Sequence, residues 1–185
     1  MVIGGAECVW RDVRTLEAML GHEWDGLVIA VNDVGCHWPR RLHHWCSLHA
    51  ANLPKWKKDR AAAGYDMTLT TWSGTSGKQA DKHVGAWGGG SSGLLAVSVA
   101  TALGCAHVVL CGVPMEKAPH FHESKVHQKG KIWAAADSHW RAWIKPSVLA
   151  RMKHVRSMSG RTGQTLGAPT LEWLGVEQLA AMGAE

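Results

Sequence analysis

The sequence predicts an α/β fold, a Rossmann-like three-layer sandwich around a mostly parallel sheet. Short apolar segments typical of buried parallel strands alternate with segments in which apolar residues recur at helical spacing. Glycines follow the first strand, and a glycine-serine loop leads into a later helix. Because no repeat or linker interrupts this order, we expect one domain over residues 1–185.

The first unit is a strand, a glycine turn and a helix. Residues 1–3 are apolar and are followed by Gly4-Gly5-Ala6. Apolar residues then recur every three or four positions from Val9 to Leu20, and Gly21 ends the pattern. A turn in this position often binds phosphate, although the full GxGxxG spacing is absent. The alternative is a tight turn that binds nothing.

The second predicted strand, residues 26–31, ends in the polar pair Asn32-Asp33. Polar residues at the carboxyl end of a parallel strand lie where ligands bind, so both are candidates for a ribose or base contact. They could equally cap the next segment. Ser47 and His49 form a similar pair, in a segment (41–50) that fits either a strand or a helix.

The middle of the chain predicts a basic helix over 53–63, a strand over 67–72 and a surface loop over 73–85. The most informative segment follows, WGGGSSG at 87–93. Three successive glycines let backbone approach a ligand, and Ser91 or Ser92 would cap the apolar helix that begins there. The next strand ends at Cys111-Gly112. Gly89, Gly90, Ser91, Ser92 and Gly112 are therefore candidate ligand contacts.

A second loop, residues 117–131, is rich in histidine. It contains His120, His122, Glu123 and His127, of which His120 and His122 are candidate bases or phosphate contacts. Solvated loop histidines are the alternative. Imidazoles two residues apart can share a metal ion in a loop, but no HExxH or cysteine-histidine spacing supports a metal site, so we name no metal ligands.

The remaining chain predicts a tryptophan-rich helix over 132–152, interrupted at Pro146, then a loop and a short helix from about Pro169. Asp137 and His139 lie on the first helix, and His139 is a further candidate base. A basic cluster at 151–161 includes Arg156. It could bind a diphosphate, follow a nucleic-acid backbone, or be a solvated surface.

Composition narrows the functional classes. The net charge of +5 favours anionic ligands, but the basic residues are spread along the chain. The five cysteines are scattered without a CxxC pair, as in a reducing compartment, and no apolar run is long enough to cross a membrane. We therefore expect a cytoplasmic protein. The absence of a P-loop, a serine elbow and a placed carboxylate pair argues against P-loop ATP hydrolysis, acyl transfer and retaining glycoside cleavage.

The order of these motifs resembles the sialyltransferase-like fold group, which includes bacterial CMP-sialic acid transferases and archaeal pterin-diphosphokinase-like and flagellin-glycosylation proteins. The resemblance covers residues 1–115: the Gly4-Gly5 turn, Asn32-Asp33, Ser47-Leu48-His49, and the segment GGGSSGLLAVSVATALGCAHVVLCGVPM. The turn GGAECV departs from the GxGPS of those families. The tail, with VRSMSG and PTLEWL, is similar to small proteins of tailed bacteriophages, which implies the cytoplasm of an infected bacterium.

The resemblance implies a nucleotide-dependent transferase, glycosyltransferase-like, that uses a nucleotide-activated donor such as a nucleotide sugar. Residues 1–115 would form the nucleotide-binding core, and 116–185 the histidine loop, the tryptophan-rich helix and the helical tail. The nucleotide would contact Gly4, Gly5, Ala6, Asn32, Asp33, Gly89, Gly90, Ser91, Ser92, Gly112 and Arg156, and the base would be His122, His139 or His120. The alternative is a non-catalytic nucleic-acid-binding or virion-associated protein that uses the basic C-terminal segment. Self-association into a homo-oligomer stays open.

Overall fold

A computed structural model describes residues 1–76, 78–87, 90–122 and 135–176. Its centre is a seven-stranded sheet of order β5-β4-β3-β2-β1-β6-β7, in which every neighbouring pair is parallel. The strands are β1 (Val2–Ile3), β2 (Ile29–Val31), β3 (His44–Ser47), β4 (Thr70–Ser73), β5 (Lys82–His83), β6 (Val108–Cys111) and β7 (Val155–Ser157). The predicted α/β fold with a largely parallel sheet is confirmed.

Helices connect the strands. They are α1 (Val9–Leu20), α2 (Leu53–Ala62), α3 (Ser92–Ala102), α4 (Ala136–Trp143), α5 (Pro146–Leu149), α6 (Gly160–Leu166) and α7 (Leu171–Leu174), with 3₁₀ turns at Asn32–Cys36 and Ala50–Asn52. Helix α1 buries Val9, Val13 and Leu16 on one face, as their spacing predicts. It ends at Gly21, whose φ of 75° is the left-handed conformation that glycine adopts most easily.

The core has two halves, one on each face of the sheet. Alternate strand residues point to opposite faces, so Val2 and Leu110 pack with α3 while Ile3 and Val109 pack with α1. Helix α3 is buried from Ser92 to Ala100, which explains why its sequence is apolar on all sides. Helices therefore cover both faces of the sheet, in the three-layer arrangement that the sequence predicts.

The strand order reverses between β1 and β6. Strands β1 to β5 extend from β1 in one direction, and β6 and β7 extend in the other. In an open parallel sheet, the connections on the two sides of such a reversal run to opposite faces and leave a crevice at the carboxyl ends of the strands. The turns after β1 and β6 begin at Gly4 and Gly112, so both glycines lie beside this crevice.

Two local predictions need correction. The segment after Met152 was expected to be a loop up to the last helix, but it contains β7 and α6. Lys82 and His83 form an edge strand inside a predicted loop. The predicted interruption at Pro146 is confirmed, because α4 ends before it and α5 begins at it. Strand β7 is only three residues long with Arg156 in the middle, too short for an apolar pattern.

Candidate functional site

A cavity of about 340 Å³ opens at the carboxyl edge of the sheet, at the reversal between β1 and β6. Its size falls within the range of small-molecule sites, about 300–1,000 Å³. Turns after β1, β2, β3 and β6 contribute to it, together with the start of α3 and the side of α4. The position is where the sequence analysis places a nucleotide.

Ten of the predicted site residues line this cavity. They are Gly4, Gly5, Ala6, Asn32, Gly90, Ser91, Ser92, Gly112, His120 and His139. The first turn and the end of the triple-glycine segment therefore meet at one edge of the sheet. Gly89, Glu123 and His127 lie outside the described residues.

Arg156 does not line the cavity, and its guanidinium has local partners. It lies in β7, donates to the carbonyls of Lys153 and Val155, and stacks its guanidinium 5.0 Å from the ring centre of Trp173. Asp33 and His122 are also outside the cavity lining, and they lie together beside His120.

The glycines of the two turns allow close packing of the backbone. Gly112 has a φ of +68°, and a Cβ atom there would lie 2.5 Å from Cβ of Val9 and 2.7 Å from the carbonyl oxygen of Gly4. Gly4 in turn donates its amide to the carbonyl of Cys111 at 2.8 Å. The glycines are thus required by the contact between the two turns, whether or not a ligand is bound.

Two non-glycine residues of the cavity wall have positive φ, Asn32 (56°) and Met115 (53°). This conformation is unfavourable for residues with a side chain, and such residues cluster at binding sites. The Asn32 carboxamide oxygen accepts a hydrogen bond from the Ser47 hydroxyl at 2.9 Å. Since that oxygen is engaged, the amide nitrogen is the group that Asn32 can offer to a ligand.

The start of α3 lies at the cavity. Ser91 is the N-cap residue, as predicted, but its hydroxyl accepts from the indole of Trp143 at 3.3 Å rather than from the helix. The Ser92 hydroxyl accepts from the Leu48 amide at 3.1 Å. Ser92 and Gly93 both line the cavity, and the amides of a first helical turn have no partner within their own helix. This end of α3 is suited to an anion.

Two histidines line the cavity near the start of α3, His49 after β3 and His139 on α4. Burial lowers the pKa of His139 below its usual value of 6.5, and a positive charge on His49 lowers it further. A ring with a lowered pKa is neutral near pH 7 and can accept a proton.

Sequence reasoning missed the cavity residues Met115 and Gly93. Met115 could not be recognised as a cavity residue from the sequence, because the feature that distinguishes it is its backbone conformation. Gly93 belongs to the predicted WGGGSSG segment but is not among its candidate contacts, and a Cβ atom there would lie 3.1 Å from the Trp143 ring. That contact joins segments far apart in the sequence and could not be foreseen.

No protein-family model matches the chain, and neither a curated protein nor a solved structure matches it. The resemblance to the sialyltransferase-like group and the phage origin therefore remain predictions. Within the described residues, no helix is long and apolar enough to span a bilayer.

Proposed function

We propose that this protein is a nucleotide-dependent transferase, glycosyltransferase-like, that takes a nucleotide-activated donor. One observation supports the proposal most directly. The first-turn glycines, Asn32 and the amino end of α3 line one cavity at the reversal of strand order, where open parallel sheets bind nucleotides.

The donor phosphates would lie at the start of α3. The amides of Ser92 and Gly93 supply hydrogen-bond donors, and the helix dipole adds partial positive charge. The base or ribose would lie toward Asn32, whose amide nitrogen can donate to it. Arg156 lies in β7, which β1 and β6 separate from β2, so it has no place in this arrangement.

His139 would accept the proton of the acceptor hydroxyl. In the transfer, the acceptor oxygen forms a bond to the anomeric carbon of the donor while the bond from that carbon to the phosphate oxygen breaks. The nucleotide leaves with the electron pair, and the hydroxyl proton passes to the His139 ring. The lowered pKa of His139 supports this role, because the ring is then ready to accept a proton. The α3 amides would stabilise the charge on the leaving phosphate.

Nucleotide binding is tested by calorimetry and thermal shift with CMP, CDP, UDP, GDP and ATP. We expect at least one of them to bind. His49→Glu adds a negative charge at the α3 end of the cavity and should weaken binding about tenfold, or about 1.4 kcal/mol. The matched control is His22→Glu, which makes the same charge change at an exposed residue remote from the cavity lining. Equal affinity in the two variants would contradict the proposed phosphate position.

Catalysis is tested with His139→Gln. We expect this variant to bind the nucleotide with near wild-type affinity but to lose at least about 100-fold in turnover of the corresponding nucleotide sugar, since general-base catalysis contributes on that scale. A gel shift with DNA at several salt concentrations tests the alternative that the protein binds nucleic acid. A DNA shift together with no stabilisation by any nucleotide would replace the transferase proposal.

A further inference from the structure

Three side chains with metal-ligating atoms converge beside the first turn: Asp33, His120 and His122. One ligand atom from each lies within 4.8 Å of the other two. Asp33 Oδ2 and His122 Nδ1 lie 3.7 Å apart. Ligands about 2.1 Å from a tetrahedral zinc ion lie roughly 3.4 Å apart, so a small side-chain adjustment would bring these atoms to bonding distance.

The backbone holds the two histidines in place. His120 forms an isolated antiparallel bridge with Ala6, and the amide of Phe121 donates to the carbonyl of Gly5 at 3.1 Å. The Phe121 ring packs edge-on against Trp10, with ring centres 5.7 Å apart. Phe121 is therefore anchored between the two histidines, and the His-Phe-His segment is fixed against the first turn.

Gly5 lets two of the three side chains approach the first turn closely. A Cβ atom at Gly5 would lie 3.0 Å from His120 Nδ1 and 3.5 Å from Asp33 Oδ1. A larger residue at position 5 would therefore crowd the imidazole and the carboxylate.

The Asp33 carboxylate supplies a second, separate indication. Asp33 Oδ1 is buried, and it has no hydrogen-bond partner in the part of the chain that the structure describes. A buried carboxylate oxygen without a partner is costly, and a cation is a usual way to satisfy it. The oxygen faces the first turn, 3.5 Å from where a Cβ atom of residue 5 would lie.

We propose that Asp33, His120 and His122 bind a divalent transition-metal ion of the Zn²⁺ type. Two imidazole nitrogens and one carboxylate oxygen suit Zn²⁺, whereas Mg²⁺ and Ca²⁺ prefer oxygen ligands alone. Three protein ligands leave at least one coordination position for water or a bound molecule, the arrangement found in catalytic zinc sites. His120 also lines the cavity, so the ion lies at the cavity border. The site does not depend on the proposed transferase function.

The test is a calorimetric titration of the full chain with Zn²⁺ after chelator treatment, together with the visible absorption of bound Co²⁺. We expect one site that Asp33→Asn and His122→Gln each weaken at least tenfold. The controls Asp25→Asn and His22→Gln make the same chemical changes at exposed residues and should leave the affinity unchanged. Circular dichroism establishes that each variant is folded.

Gly5→Ala provides a variant that keeps all three ligands. Its added methyl group crowds His120 Nδ1 and the Asp33 carboxylate, so we expect it to weaken Zn²⁺ binding as strongly as the ligand substitutions. Absence of Zn²⁺ binding, or equal affinity in Gly5→Ala, His122→Gln and the controls, would overturn the proposal and leave Asp33 and His122 as an ion pair only. No nucleotide is present in the titration, so its result is separate from that of the transferase tests.

Discussion

The two edges of the parallel sheet differ in chemistry although the same strands form both. At the carboxyl edge the cavity is bordered by positive-φ residues, helix amides and imidazoles. At the amino edge a smaller cavity of about 200 Å³ has mainly apolar walls, with Trp24, Leu27 and Cys105 among its lining residues. Regular strands begin at the amino edge and irregular turns follow the carboxyl edge. The features that suit a ligand therefore belong to the turns rather than to the strands.

At the carboxyl edge, Gly112→Ala should have the largest effect on stability. The new Cβ atom would overlap Val9 and the Gly4 carbonyl at a φ of +68°, so we expect the free energy of unfolding to fall by about 4 kcal/mol. Gly104→Ala is the control, since Gly104 has a φ of +76° but no atom within 4 Å of the added Cβ. That variant should lose only about 1 kcal/mol. Urea denaturation measures both, and equal losses would contradict the close-packing explanation.

Arg60→Met should have the next largest effect. The Arg60 side chain is fully buried and donates to the carbonyls of Gly35, Trp38, Arg40 and Asp66, which ties α2 to the segment after β2. Removing it leaves buried carbonyls without donors, so we expect a loss of about 3 kcal/mol.

Arg156→Met is the matched control for Arg60→Met. Arg156 lies in edge strand β7 and is only partly buried, so its loss should lower the free energy of unfolding by less than about 1 kcal/mol. Denaturant titration of both variants makes the comparison. Similar losses would show that the segment after β2 does not depend on the buried guanidinium.

The smallest expected effect is a pH dependence at the amino edge. Burial lowers the pKa of His43, and its Nδ1 accepts a hydrogen bond from the Val28 amide at 3.1 Å. The folded state therefore favours the neutral ring. The contribution of His43 to the free energy of unfolding is complete above pH 6.5 and is lost as the pH falls below that value. His43→Asn keeps an acceptor and should flatten the decline in stability between about pH 7 and 5. The exposed control His22→Asn should keep the wild-type slope, and an unchanged slope in His43→Asn would contradict the assignment.

Much of the fold could be predicted because its signals are local. The spacing from Val9 to Leu20 and the stop at Gly21 define α1 in the sequence, and the apolar run up to Val31 indicates β2. Strand β5 could not be predicted, because Lys82 and His83 are exposed and have no apolar pattern. They become a strand only by pairing with β4.

The position of the cavity could be predicted from the sequence, but the side-chain and backbone contacts that shape its wall could not. Glycines and polar residues at strand ends indicate the carboxyl edge, which placed Gly4, Asn32 and Ser91 in the cavity wall. Charge alone suggested Arg156, whose partners turned out to be Trp173 and nearby carbonyls. The positive φ of Met115 and the close approach of His120 and Asp33 to Gly5 arise from tertiary contacts, and no pattern in the sequence encodes them.

A buried carboxylate joins distant parts of the chain at the cavity. Asp12, in the first turn of α1, accepts from the Gly112 amide at 2.9 Å and from the Ser159 hydroxyl at 2.6 Å. These partners are separated from it by 100 and 147 positions. On the ribosome, Asp12 emerges long before either donor, so its carboxylate gains the first partner only after residue 112, and the second only after residue 159, has been synthesised. The wall around Gly112 is therefore expected to become rigid late in folding, after the nearby β1-α1 unit has formed.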